Sequence, residues 1–329
     1  MSQVVAAVID PFEPQIRMRI EVAVPPQWTV QFGHRSPAER DAAMADADVL
    51  FVMAAPVDGG LIASAKRLRF IQKLGAGVDR VDLEACEARG IALAKLAGGN
   101  AVPVAEHAVL LMLACYRRLP VVDRRTRAGH WGKEEARGQS RQLRGKRIGL
   151  VGFGAIGREL AAILAGFQAE VVYYDPVRAA REVEARLSVR ALDLDELLAT
   201  SDIVSLHLPL LPETSGLIDA ARIARMKKGA VLINTARGGL VDEGALAAAL
   251  RNGHLAAAGI DAFAREPPLG SPLLELEQTV VTPHLAGATI DNFDNIIERA
   301  VANAQSYLER GRLPEADAVL MPRTTRAAS

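Results

Sequence analysis

Two cysteines, Cys86 and Cys115, are all that the 329 residues contain. Two thiols cannot build a disulfide framework, so they read as small buried apolar residues in a reducing cytoplasm. There is no excess charge of either sign, with 39 basic residues against 39 acidic. That balance gives no electrostatic reason to expect nucleic acid or an anionic membrane as partner. No basic-then-apolar pattern opens the chain, so no secretory leader is expected. The most apolar helical stretch, Val104 to Cys115, carries Glu106 and His107 and is too short to cross a bilayer. No His, Cys and carboxylate spacing suggests a metal site, and no repeat of solenoid period is visible. What remains is a soluble intracellular chain, 50% hydrophobic, long enough for two domains with a core in each.

The stretch Ile148 to Gly157 organises what is there. An apolar run leads into Gly152, Gly154 and Gly157 at the spacing G-x-G-x-x-G, and an Ala- and Leu-rich helix follows to Gly166. Gly152 permits the turn, Gly154 lets backbone approach a pyrophosphate, and Gly157 allows close packing of the helix. The helix start offers N–H groups and a positive dipole end to phosphate. A second apolar run, Glu170 to Tyr174, ends in Asp175, 18 residues past the last glycine. An acid there can accept both ribose hydroxyls of an adenosine and would repel a 2′-phosphate, which favours NAD over NADP. The alternative for Asp175-Pro176 is a plain turn closing the strand.

Strand and helix alternate along the chain, which predicts parallel sheets. Strands are expected at Val4 to Ile9, Val22 to Val24, Val49 to Ala54, Phe70 to Leu74, Ile203 to Leu208, Ala230 to Asn234, Ala256 to Asp261 and Thr279 to Thr282. Ser36, Asp58 and Asp242 read as helix caps. A long helix, Val104 to Tyr116, is apolar on most faces and is expected between domains or at a subunit interface. Arg117 to Arg147 reads as a helix end and a surface loop. A last helix, Ile290 to Arg310, returns to the first domain, and the tail from Leu313 reads as loose. The fold class is therefore α/β, with two doubly wound parallel-sheet domains. A nucleotide-binding domain, residues 100–289, is inserted into a substrate domain made of 1–99 and 290–329.

Three ionisable residues follow three strands that share one sheet edge. Arg237 stands after Asn234-Thr235-Ala236 and can hold a carboxylate by two parallel hydrogen bonds. His284 follows Pro283, and an imidazole near its ordinary pKa of ~6.5 suits proton exchange at neutral pH. Glu266 can accept the other ring N–H of that histidine and fix its tautomer. Singly, each has a bland reading: a surface charge, a structural histidine, a solvated loop. As a set beside a dinucleotide fold, the functional reading is stronger.

Five segments resemble the D-isomer-specific 2-hydroxyacid dehydrogenase family: Gly75 to Asp79, Val151 to Gly157, His207 to Thr214, Asn234 to Glu243 and Thr282 to Thr289. The resemblance runs from about residue 70 to 300. It implies a Rossmann NAD domain set into a flavodoxin-like domain, and a catalytic Arg237, Glu266 and His284. It implies nicotinamide contacts from Asp261, Thr235 and Ala236. Gly152, Gly154, Ala155, Ile156, Gly157, Asp175, His207, Leu208, Thr214, Ala286 and Gly287 complete the implied cofactor site. Ala76 and Gly77 would offer backbone N–H groups to a substrate carboxylate. Lys73 is either an anion-binding point charge or a solvated strand residue. Formate dehydrogenases of the family carry an amide where Glu266 stands, which argues against formate. The implied activity is hydride transfer between nicotinamide and C2 of a small D-2-hydroxy or 2-keto acid. Two other readings stay open: an NAD-sensing corepressor of the same fold, and a nucleoside-using Rossmann enzyme such as a methyltransferase. A homodimer through helix 104–116 and its neighbouring loop is implied, with Trp131 either entering the partner's pocket or packing on its own loop.

Overall fold

The computed structural model describes residues 3–322 and divides them into two compact units, with boundaries at Gly99/Asn100 and Thr289/Ile290. Strands β1 (Val4–Val8), β2 (Trp28–Phe32), β3 (Val49–Val52), β4 (Phe70–Lys73) and β5 (Ala92–Ala94) lie in the first unit. The second holds β6 (Arg147–Val151), β7 (Glu170–Tyr174), β8 (Val189–Ala191), β9 (Ile203–Leu206), β10 (Val231–Asn234), β11 (Ala257–Ile260) and β12 (Thr279–Val281). Strand β13 (Ala318–Leu320) belongs to the first again.

The first sheet runs β13-β5-β4-β3-β1-β2 and the second β12-β11-β10-β9-β6-β7-β8. Within the second, every pairing is parallel. These are the flavodoxin-like and Rossmann strand orders, each wound both ways from a central strand, so the α/β expectation holds. Central strands are mostly apolar because helices cover both faces, with a few buried polar residues such as Gln72, Ser205 and Asn234 among them. In the second unit, Leu197, Leu232, Leu246 and Leu250 fill one face, and Leu111, Met112, Leu160 and Tyr173 the other. The caps expected at Ser36, Asp58 and Asp242 accept the N–H groups of Glu39, Leu61 and Ala245.

Three local readings are corrected. Residues 22–24 do not form a strand: a helix spans Pro14–Ala23, opened by Pro14 and burying Ile20, and the strand comes later at β2. Leu119–Arg127 and Lys133–Arg137 are helices, not loop. The long apolar helix, Ala101–Arg117, covers a sheet face of its own unit with Ala105, Ala108, Leu111, Met112 and Cys115 and leaves Val102 and Leu110 exposed. Nor is the described part of the segment after Leu313 loose, since β13 pairs antiparallel with β5; residues 323–329 lie outside the described residues. Asp317, just before β13, is fully buried and meets Arg299, Asn303 and the Ala97 N–H. A charge buried there needs those donors. Asp317→Ala is expected to lower stability by about 2–3 kcal/mol, the scale of hydrogen bonds to a charged group. Urea unfolding measures it, and an unchanged midpoint would refute the role.

Both cysteines are buried. Burial pushes the Cys115 thiol up to about 12. Burial first, and then the nearby Asp82 charge, push Cys86 up to about 11. Among the described residues no helix is long and apolar enough to cross a membrane, and no His, Cys and carboxylate group could hold a metal.

Candidate active site

The glycine turn joins β6 to the helix Ala155–Gly166. Gly152 has φ 98°, and a Cβ there would lie 2.4 Å from the His207 carbonyl oxygen, so only glycine serves. A Cβ on Gly157 would meet the Gly152 carbonyl oxygen at 2.5 Å, while Gly154 faces open space. Among the described residues, the N–H groups of Gly154, Ala155 and Ile156 donate to no carbonyl. They are the unsatisfied donors of a helix start, presented at an exposed loop.

Asp175 ends β7 beside this turn. One carboxylate oxygen accepts the Phe153 N–H at 2.8 Å and the other the Val177 N–H at 2.9 Å. It thus closes its own turn and also braces the glycine loop. Each oxygen keeps a lone pair for a further donor. His207 follows β9. Its Nε2 lies 2.8 Å from Ser205 Oγ, while its buried Nδ1 has no partner. Burial of the ring pushes its pKa down to about 3, so the imidazole is neutral at physiological pH. Thr235 Oγ1 is likewise buried and unpartnered. Two orphaned polar atoms, a row of unpaired amides and an open glycine along one sheet edge suit a dinucleotide. The crevice beyond the carboxyl ends of β6 and β9, where the strand order reverses, is where such a fold binds one. Leu208, next in chain, is half-buried. Thr214 spends its hydroxyl closing the turn from Pro209, at 2.7 Å from that carbonyl oxygen.

Strands β10, β11 and β12 are neighbours, and their carboxyl ends lead to Arg237, Glu266 and His284. His284 Nδ1 lies 2.7 Å from Glu266 Oε1, so the two expected partners meet. Glu266 Oε1 also accepts the Phe263 N–H at 3.3 Å. The Arg237 turn abuts that same segment: a Cβ on Gly238 would lie 1.8 Å from the Phe263 carbonyl carbon. Asn234, which sequence reasoning passed over, shapes the turn. Its side chain accepts the Ala236 N–H and donates to the Arg237 carbonyl oxygen at 2.9 Å. Glu243 was missed too; it accepts the Ala264 N–H at 2.8 Å and so braces the loop that carries Glu266.

Asp261, at the end of β11, has no exposed surface. Its carboxylate accepts Thr282 Oγ1, the Leu285 N–H and the Ala286 N–H at 2.6, 2.9 and 2.9 Å. Those bonds make it the anchor of the His284 loop, Ala286 included. Gly287 follows on that loop, half-buried.

In the first unit, Lys73 ends β4 and is buried, with Nζ donating to the Met53 carbonyl oxygen. This overturns the solvated reading of Lys73. Asp10, which sequence suggested only as a turn, accepts the N–H groups of Met53, Ala54 and Ala55 and fixes that loop. After β4, the N–H groups of Ala76 and Gly77 donate to no carbonyl among the described residues.

Residues 109–286, more than half of the chain, match the family model described as D-isomer specific 2-hydroxyacid dehydrogenase, NAD binding domain. The chain belongs to the D-isomer specific 2-hydroxyacid dehydrogenase family. Among curated relatives of this family, it is 45% identical over 255 residues to a D-3-phosphoglycerate dehydrogenase of Mycobacterium tuberculosis, covering 77% of this chain and 48% of that protein. It thus spans about half the length of the curated relatives it matches. Among solved structures it is similar to an NAD-dependent formate dehydrogenase from Staphylococcus aureus in complex with NAD, with 27% identity and a TM-score of 0.84, covering 96% of this chain and 98% of that one. It is also similar to the holo form of Rhodotorula graminis D-mandelate dehydrogenase, with 28% identity and a TM-score of 0.84, covering 98% and 100%.

Proposed function

We propose that this member of the family is an NAD-dependent oxidoreductase acting at C2 of a small D-2-hydroxy or 2-keto acid. The observation that carries the reading is the 2.7 Å pair of His284 and Glu266, on a loop edge shared with the Arg237 turn. Glu266 accepts a hydrogen bond from the Nδ1–H of His284 and so leaves Nε2 to exchange a proton with the C2 oxygen. Arg237 binds the substrate carboxylate through its guanidinium fork and polarises the C2 oxygen. In the first unit, Lys73 and the N–H groups of Ala76 and Gly77 are donors of the kind that anionic groups take. The glycine loop, Asp175, His207 and Thr235 hold NAD, and the bound nicotinamide supplies or accepts the hydride.

The relatives named above are dehydrogenases, which supports an enzyme over a corepressor or a methyltransferase. Glu266 is a carboxylate where the family's formate enzymes carry an amide, so formate falls outside the substrate class. Glyoxylate, hydroxypyruvate, phenylpyruvate and, in the oxidative direction, D-3-phosphoglycerate form the test panel, followed by NADH absorbance. Turnover of at least one is expected. NADH binding without turnover of any would overturn the reading.

Asp175 sets the cofactor choice. Asp175→Ser removes the charge that repels a 2′-phosphate, and the ratio of kcat/KM with NADH to that with NADPH is expected to fall by about 10-fold or more, one charge contact's worth. An unchanged ratio would refute that role.

We propose further a cytoplasmic homodimer. Free buried thiols suit a reducing compartment. Val102, Leu110 and Leu119 are exposed, and Trp131 is 82% exposed rather than packed on its own loop. Trp131 lines a cavity of about 250 Å³ with Val121 and Val122. A second copy would cover these groups. Sedimentation equilibrium is expected to give twice the chain mass; a monomer would remove this part.

A further inference from the structure

His107 sits on the helix Ala101–Arg117, nearly buried, and the proposed chemistry makes no use of it. Its Nε2 lies 3.1 Å from Thr282 Oγ1, and that hydroxyl lies 2.6 Å from Asp261 Oδ1. A carboxylate only accepts, so the hydroxyl proton goes to Asp261. Thr282 Oγ1 must then accept from His107, which fixes the proton on Nε2. The result is a one-way chain of donors: imidazole N–H to hydroxyl, hydroxyl to carboxylate.

The end of that chain holds the loop carrying His284 on both sides. The Asp261 carbonyl oxygen accepts the His284 N–H at 2.9 Å, and its carboxylate accepts Leu285 N–H and Ala286 N–H. Between these clamps His284 has φ 53°, in the left-handed region. For a residue with a Cβ this conformation is strained, and it persists only where the surroundings over-determine it. Here they do. A fully buried carboxylate also depends on every donor it has.

We infer that His107 and Thr282 are positioning residues for the proposed reaction. Acting through Asp261, they hold the His284 ring at the angle that meets Glu266 on one side and substrate on the other. This rests on the reading of His284 as the proton-exchanging group.

The test pairs Thr282→Val, which deletes the hydroxyl at nearly constant volume, with Thr282→Ser, which keeps it. His107→Leu and His107→Gln form a second pair, in which Gln retains an N–H donor. For Val and Leu, kcat with a 2-keto acid is expected to fall by up to about 100-fold, the scale of a misplaced catalytic group. KM is expected to hold, because Arg237 sits on a different strand. Ser should return most of the lost kcat, and Gln part of it. A merely structural role would lower the thermal midpoint and leave kcat of the folded protein unchanged. Thr282→Val at the parent kcat overturns the inference, as does Thr282→Ser impaired as badly as Thr282→Val. If Thr282→Val does not fold, the His107 pair decides by the same criteria. Parent turnover in His284→Ala overturns the underlying reading itself; an inactive His284→Ala beside an unaffected Thr282→Val sinks only the inference.

Discussion

Arg237→Ala is expected to cut kcat/KM for a 2-keto acid by about 10³-fold while NADH binds almost as before. The magnitude follows from what the guanidinium does. In the proposed reaction it anchors the substrate carboxylate and stabilises charge developing on the C2 oxygen. Removing one donor aimed at such charge typically costs about 10²–10³-fold, and losing the anchor adds to that. The NADH half of the expectation follows from the geometry. The pyrophosphate cradle lies at the turn after β6, and Arg237 follows β10. The guanidinium also donates to the Ala236 carbonyl oxygen at 2.7 Å, but the backbone of the turn should survive its loss, because Asn234 still holds it through Ala236 N–H and the Arg237 carbonyl oxygen. Arg237→Lys restores charge without the fork and should recover only part of the loss. Steady-state NADH absorbance and a fluorescence titration of NADH measure the two halves. Lost NADH affinity with intact turnover would contradict the assignment.

His284→Ala is expected to lower kcat by about 10²–10⁴-fold, the usual contribution of a positioned acid or base. It should also flatten the limb of the pH–rate profile that belongs to the imidazole. Glu266 then faces a missing ring rather than a displaced one, so no rescue from that side is expected. Backbone clamps to the loop come from Asp261 and do not involve the ring. The variant should therefore fold and bind NADH. A pH profile of unchanged shape, at any rate, would remove the proton-transfer role.

Much of this was legible in the amino acids. The strand, glycine turn and helix from Ile148 to Gly166 announce themselves by local pattern, as do the caps at Asp58 and Asp242 and the last helix. Arg237, Glu266 and His284 could be paired from sequence because each comes soon after an apolar strand, three residues on for Arg237 and His284 and six for Glu266. What stayed hidden depends on partners far along the chain. His107 and Thr282 are 175 residues apart, and no periodicity links them. The Asp317 carboxylate is explained by Arg299 and Asn303 on a helix, so composition alone made its neighbourhood look loose. Pro14–Ala23 misled for another reason. Its buried face is narrow, and the β-branched residues at its end imitate a strand.

The helix Ile290–Arg310 supplies Phe293, Ile296, Ile297, Ala300 and Ala304 to the core that holds Ala6, Val8, Phe51 and Phe70. During synthesis, then, residues 100–289 have every strand of their own sheet before the earlier-made unit has its lid. Residues 1–99 leave the ribosome with one face of their sheet only part-covered, by Ile20 of the helix Pro14–Ala23, and must wait through nearly two hundred more for the helix that completes it. The nascent chain is thus sticky early rather than late, and a ribosome stalled just short of residue 290 would display that half-covered face to chaperones.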